Sequence, residues 1–182
     1  VQRLLAGLID GLAEVPVTTD LAVCPSFVHL EMTREALAAT RIAIGAQNAH
    51  AEISGAFTGE VAAAMLADLG LDYALVGHSE RRQLFGETNA GVAAKFAAVQ
   101  QAGMTPVLCL GETLDQREGG QTEATVLAQL DAVLEVCGVE SFRQAIIAYE
   151  PVWAIGTGKT ASPEQAQQVH RVIRDHLASK NA

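Results

Sequence analysis

Apolar residues fall into two patterns that alternate along the chain. Short unbroken runs, Leu21–Cys24, Ile42–Ala46, Tyr73–Val76, Thr105–Leu110 and Ala145–Tyr149, have strand length and no polar alternation. Turn-forming residues mark their ends: Pro25, Gly45, Gly77, Gly111 and Pro151. Between the runs, stretches near 1–14, 31–40, 60–69, 88–102, 121–137 and 163–180 place apolar residues three and four apart and read as amphipathic helices. The last opens Ser162-Pro163-Glu164: a capping hydroxyl, a proline at the first helical position and an acid in the first turn.

Strands that are apolar throughout predict burial on both faces, the habit of a parallel sheet covered by helices. The alternating order then predicts an α/β fold with right-handed crossovers. Two architectures satisfy it. An open doubly wound nucleotide fold would carry a Gly-rich turn after its first strand. A barrel gathers its chemistry at the carboxyl ends of several strands, and that is where the polar residues fall here. A barrel has eight strands and this sequence supplies five, so the pattern reads as a single domain over 1–182 that is either an open sheet or a piece of a (β/α) barrel.

Composition narrows the partners. Twelve basic against 21 acidic residues leave a net charge of −9, and no basic cluster appears, which argues against nucleic acid or an anionic membrane. The richest apolar window, Val61 to Val76, is broken by Asp68 and Asp72, so no run has the roughly 18 residues of a spanning helix. Cys24, Cys109 and Cys137 are odd in number and lack a Cys-x-x-Cys spacing, which reads as reduced thiols in a cytoplasmic setting. The chain opens Val1-Gln2-Arg3 without Met, and a start further upstream is expected.

Three clusters carry candidate chemistry. In Ala148-Tyr149-Glu150-Pro151-Val152-Trp153, a carboxylate ends a buried strand, which is costly unless it emerges into a polar pocket. Beside Trp153 and Ile155 it suits a general base; a solvated Glu before a proline-led loop would look the same. The tail Gly156-Thr157-Gly158-Lys159-Thr160 is no phosphate-cradling P-loop, because Trp153 stands where that motif needs its first glycine. It fits a hinged lid instead. In Val76-Gly77-His78-Ser79-Glu80-Arg81-Arg82, His78 follows a strand and Ser79 is placed to cap a short helix, whose positive pole disfavours a charged imidazole. A lone His is usually structural, but a His and a Glu on one rim suit proton abstraction beside a carbonyl. Third, Gly45-Ala46-Gln47-Asn48 leads into a loop whose Ala56-Phe57 is apolar for an idle surface, which fits insertion into a partner subunit or an ordinary loop folded onto its own barrel.

These motifs, with Cys109-Leu110-Gly111-Glu112, occur in the order and spacing of the triosephosphate isomerases, and the chain resembles that family along its whole length. The resemblance implies a TIM-type barrel, here about five of eight βα units, strands 2–6. It implies interconversion of dihydroxyacetone phosphate and D-glyceraldehyde 3-phosphate through an enediolate, without a cofactor or metal, in glycolysis and gluconeogenesis. It makes Glu150 the base and His78 the neutral electrophile, a division of labour already described for this family. It makes Gly156 a phosphate-binding amide of the lid, Ser79 and Glu80 supporting residues, and Arg81 and Glu87 structural ones. A homodimer through the loop Gln47–Glu60, with Phe57-Thr58-Gly59 at its tip, is also implied.

The family's first strand carries a substrate-holding Asn and Lys, and its seventh and eighth strands supply phosphate-binding amides. None of these has a counterpart in the 182 residues, so a partial chain is expected. That leaves a second hypothesis: a catalytically silent partial barrel acting only through its interface loop. An aldolase would place a Schiff-base Lys at a strand end, whereas Lys95, Lys159 and Lys180 fall in helices or the lid.

Overall fold

The computed structural model describes residues 1–181. Five strands, β1 (Leu21–Val23), β2 (Ile42–Ala46), β3 (Tyr73–Val76), β4 (Thr105–Leu110) and β5 (Ile146–Tyr149), pair in chain order, all parallel. Between and around them run α1 (Gln2–Gly11), α2 (Leu30–Leu37), α3 (Ala63–Asp68), α4 (Ser79–Leu84), α5 (Asn89–Gln101), α6 (Leu114–Glu118), α7 (Thr122–Cys137) and α8 (Pro163–Ser179). The sheet curls into part of a TIM-type barrel, with the helices on its outer side.

Local chemistry starts these helices. Ser162 and Gln165 form a reciprocal capping box on α8, with Pro163 in its first turn, and Thr113 and Gln116 do the same for α6. The Thr88 hydroxyl caps α5 by accepting from the Gly91 amide. Helix α7 stops at Gly138, whose φ of +73° an L side chain would resist.

The core lies between the strands and helices α5 and α7. Phe96, Val92 and Val99 of α5, Leu130 and Val126 of α7, and Leu108 of β4 are fully buried. Completely burying a side chain of that size contributes roughly 1.5–3 kcal/mol. The strands are less uniformly buried than their composition suggests. In β3, Ala74 and Val76 are buried against the helices, whereas Tyr73 and Leu75 on the opposite face are only half-buried. In β5, Ile146 is exposed. The physical reason is curvature: the concave face of a five-stranded arc is only partly filled from across the barrel.

Side chains tie the ends of the early strands. Arg41 binds the carbonyls of Val15, Pro16 and Thr19, fixing the turn before β1. Asp72 accepts from the Ile44 amide, and Gln47 donates to the Cys24 carbonyl at 3.0 Å. Among the described residues, no helix is long and apolar enough to cross a membrane.

Candidate active site

His78 follows β3 and Glu150 follows β5, so two carboxyl-terminal strand ends place both on one rim. The His78 Nε2 lies 3.1 Å from the Glu150 Oε1, and both side chains are partly buried. They stand together.

The imidazole is also held from behind. His78 itself is the N-cap of α4, and its Nδ1 accepts from the Glu80 amide at 3.3 Å. This corrects the expectation that Ser79 caps the helix: Ser79 is the first helical residue, and its own amide points into the site. An imidazole that accepts at Nδ1 carries its hydrogen on Nε2, facing the carboxylate. The Ser79 amide donates to the other carboxylate oxygen, Oε2, at 3.2 Å. Ser79 is therefore a direct anchor of Glu150, while the exposed Glu80 contributes its backbone amide. Gly156 is not brought to this pair. It sits at the exposed tip of the loop after β5 with φ +66°, and Gly158 has φ +75°.

Against the loop after β5 lies a residue that sequence reasoning passed over. Glu112, two positions after β4, is wholly buried. Its carboxylate accepts from the Tyr149 hydroxyl at 3.0 Å, from the Trp153 indole N–H at 3.0 Å and from the Arg117 guanidinium at 3.1 Å. The Arg117 guanidinium also stacks over the Trp153 ring. Burial first, then the Glu112 charge and hydrogen bond, push the Tyr149 hydroxyl up to about 12, so it remains a donor. One carboxylate thus joins the residue before Glu150 to the first turn of the loop that follows it. The signal for it was present: Glu112, like Glu150, ends a buried apolar strand.

A second network supports α4. The Glu87 carboxylate receives both Arg81 and Lys95, and Lys95 also donates to Asn48 at 2.8 Å. Asn48 is the second residue of the loop after β2. The loop Gln47–Glu60 returns on itself through His50, whose amide donates to the Val61 carbonyl at 2.8 Å and whose Nδ1 lies 3.1 Å from Glu60. The Phe57 ring packs on His50 with centroids 4.5 Å apart and is 44% exposed, so the loop presents half an aromatic to its surroundings. Beside its root, Ser26, Phe27, Gln47, Asn48, His78 and Arg81 line an open cavity of about 370 Å³. Cys109, buried beneath the rim, is pushed up to about 12 by burial and then by the Glu150 charge, and it stays a thiol.

The model of the triosephosphate isomerase family matches residues 1–182, the full chain. The chain belongs to that family. It is 51% identical over all 182 residues to the triosephosphate isomerase of Photorhabdus laumondii, covering 71% of that relative's length. It is 54% identical over 177 residues to that of Thiobacillus denitrificans, with 97% of this chain and 71% of the relative covered. The isomerase from Alcanivorax borkumensis is 52% identical over 175 residues, with 96% and 70% covered. This protein is an isomerase of the same kind, and its rim of strand-end residues is the place to look for the chemistry.

Proposed function

We propose that this isomerase interconverts dihydroxyacetone phosphate and D-glyceraldehyde 3-phosphate with Glu150 as the proton-transferring base and His78 as the electrophile. The observation that supports the reading most is the 3.1 Å approach of His78 Nε2 to Glu150 Oε1 on a shared rim. Glu150 removes a proton from the hydroxyl-bearing carbon next to the carbonyl and returns it to the former carbonyl carbon, while the hydroxyl proton passes to the former carbonyl oxygen by way of His78 Nε2. The Nε2 hydrogen of His78 binds the carbonyl oxygen and steadies the negative charge of the enediolate. With no substrate bound, the Ser79 amide and His78 occupy the carboxylate; with substrate, it exchanges those partners for the reacting carbons.

The lid completes the site. Pinned at its first turn by the Trp153–Glu112 bond and free at Gly156 and Gly158, it swings over the substrate. The Gly156 amide then meets the phosphate and water is excluded from the enediolate. The half-exposed Phe57 and the loop around it serve a second copy of the chain, each loop reaching the cavity beside the other's His78. Sedimentation as a monomer at every concentration would remove that part. The loss of a whole chemical step by the rim, with the loop interface intact, would instead leave a silent barrel.

The test is triose phosphate turnover by Glu150→Asp. Shortening the side chain by one carbon retracts the base by about 1 Å, and a displacement of that size costs on the order of 10²-fold in kcat. Turnover at the parent rate would take Glu150 out of its role.

A further inference from the structure

The ladder between β4 and β5 ends one residue before the base. Leu110 pairs with Tyr149, and the Glu150 amide donates to the Leu110 carbonyl at 2.7 Å. The peptide groups of Gly111 lie beyond that last rung, and partly buried backbone groups need partners. Both find them in one side chain. Gln129 of α7, 9% exposed, accepts from the Gly111 amide through Oε1 at 2.9 Å and donates to the Gly111 carbonyl through Nε2 at 3.0 Å. The amide therefore acts as one more rung of ladder, supplied by a helix.

Gly111 in turn touches the base. A Cβ on it would run into the Glu150 carbonyl oxygen, with the Val152 side chain 3.2 Å away. Its φ is not in the left-handed region, so glycine is needed here for close approach and not for torsion. Gln129, Gly111, Ser79 and Glu150 also line a common cavity of about 160 Å³ behind the carboxylate. No other residue touches both peptide groups of Gly111 among the described hydrogen bonds.

We propose that Gln129 is a positioning residue for the base: its amide grips the Gly111 peptide, and Gly111, packed bare against the Glu150 backbone, sets where the carboxylate stands. The inference rests on Glu150 being the base, and its test separates the two. In the full-length enzyme, Gln129→Met removes both hydrogen bonds at similar shape, and Gln129→Glu keeps the acceptor but loses the donor. Kinetics are referred to the folded fraction. Both variants are expected to lose about 10- to 100-fold in kcat, the range that sub-ångström to 1 Å misplacement produces, with KM changed less than about threefold. Should Gln129→Met fail to fold, Gln129→Glu carries the same test. Combined with Glu150→Asp, the losses are expected to fall well short of their product, because both act on one carboxylate. Parent kcat with only a lowered melting temperature would make Gln129 a structural residue and overturn the proposal, and so would losses that multiply in full. If Glu150→Asp alone has no effect, the base assignment fails, whatever Gln129 does.

Discussion

Buried charge decides what single residues do in this protein. The Glu87 side chain is 8% exposed, and it holds the charges of both Arg81 and Lys95. Burial pushes its carboxyl up, but the hydrogen bonds and charges of Lys95 and Arg81 outweigh that and hold it below the usual carboxylate range. Removing one partner of a buried pair typically costs about 3–5 kcal/mol, so Glu87→Gln is expected to lose about 3 kcal/mol near neutral pH in urea unfolding. The sign of its pH dependence follows from the lowered value. The stabilisation is complete above the unfolded carboxylate pKa of about 4.3 and disappears as pH falls through the folded one. The gap between parent and Glu87→Gln should therefore close in acid; a gap that stays constant down to pH 3 would show that Glu87 is not held charged by these partners.

Glu150 and His78 were legible because a polar residue at the end of an apolar strand has to go somewhere polar. Glu112 obeys the same rule, but its role is not legible in sequence, since its three donors come from residues 5, 37 and 41 positions away. Lys95 lay inside an apolar helix, where its pairing with Asn48 and Glu87 is a product of tertiary structure alone. Gln129 looked like any helix-forming residue.

At the scale of elements, local chemistry was a good guide. The Ser162-Pro163-Glu164 start of α8 became a full capping box, and all six expected helices agree with the structure to within three residues at each end. Two short helices, α4 and α6, have six and five residues, fewer than two turns each, too short to show an apolar period. The lid is a different kind of element. Its first turn is anchored by buried Trp153, while residues from Ile155 to Thr160 are exposed and packed on little. The Thr157 hydroxyl donates to the Trp153 carbonyl at 2.8 Å, and Gly156 and Gly158 hold positive φ. Replacing both glycines by Ala should strain the tip by roughly 1–2 kcal/mol per residue without disturbing the core. We expect kcat to fall at least tenfold, with a melting temperature within a few degrees of the parent and more inorganic phosphate released per turnover. Normal turnover with no added phosphate release would mean that the tip need not refold over the substrate.

At the scale of the whole molecule, an all-parallel order of β1 to β5 puts every carboxyl end on the same rim. This is why residues 72 positions apart in sequence, His78 and Glu150, meet within 3.1 Å. The arrangement was readable from the alternation of strand and helix. The half-buried inner face was not, because a run of apolar residues looks alike whether its second side meets helices or a partly filled concavity. The central claim, that Glu150 carries a proton to and from a triose phosphate with His78 opposite, is tested most directly by deuterium uptake. Dihydroxyacetone phosphate incubated in D₂O with the enzyme should gain deuterium at the carbon beside its carbonyl, read by proton NMR. Glu150→Gln should show almost none at equal folded concentration. Uptake by Glu150→Gln at the parent rate would contradict the account.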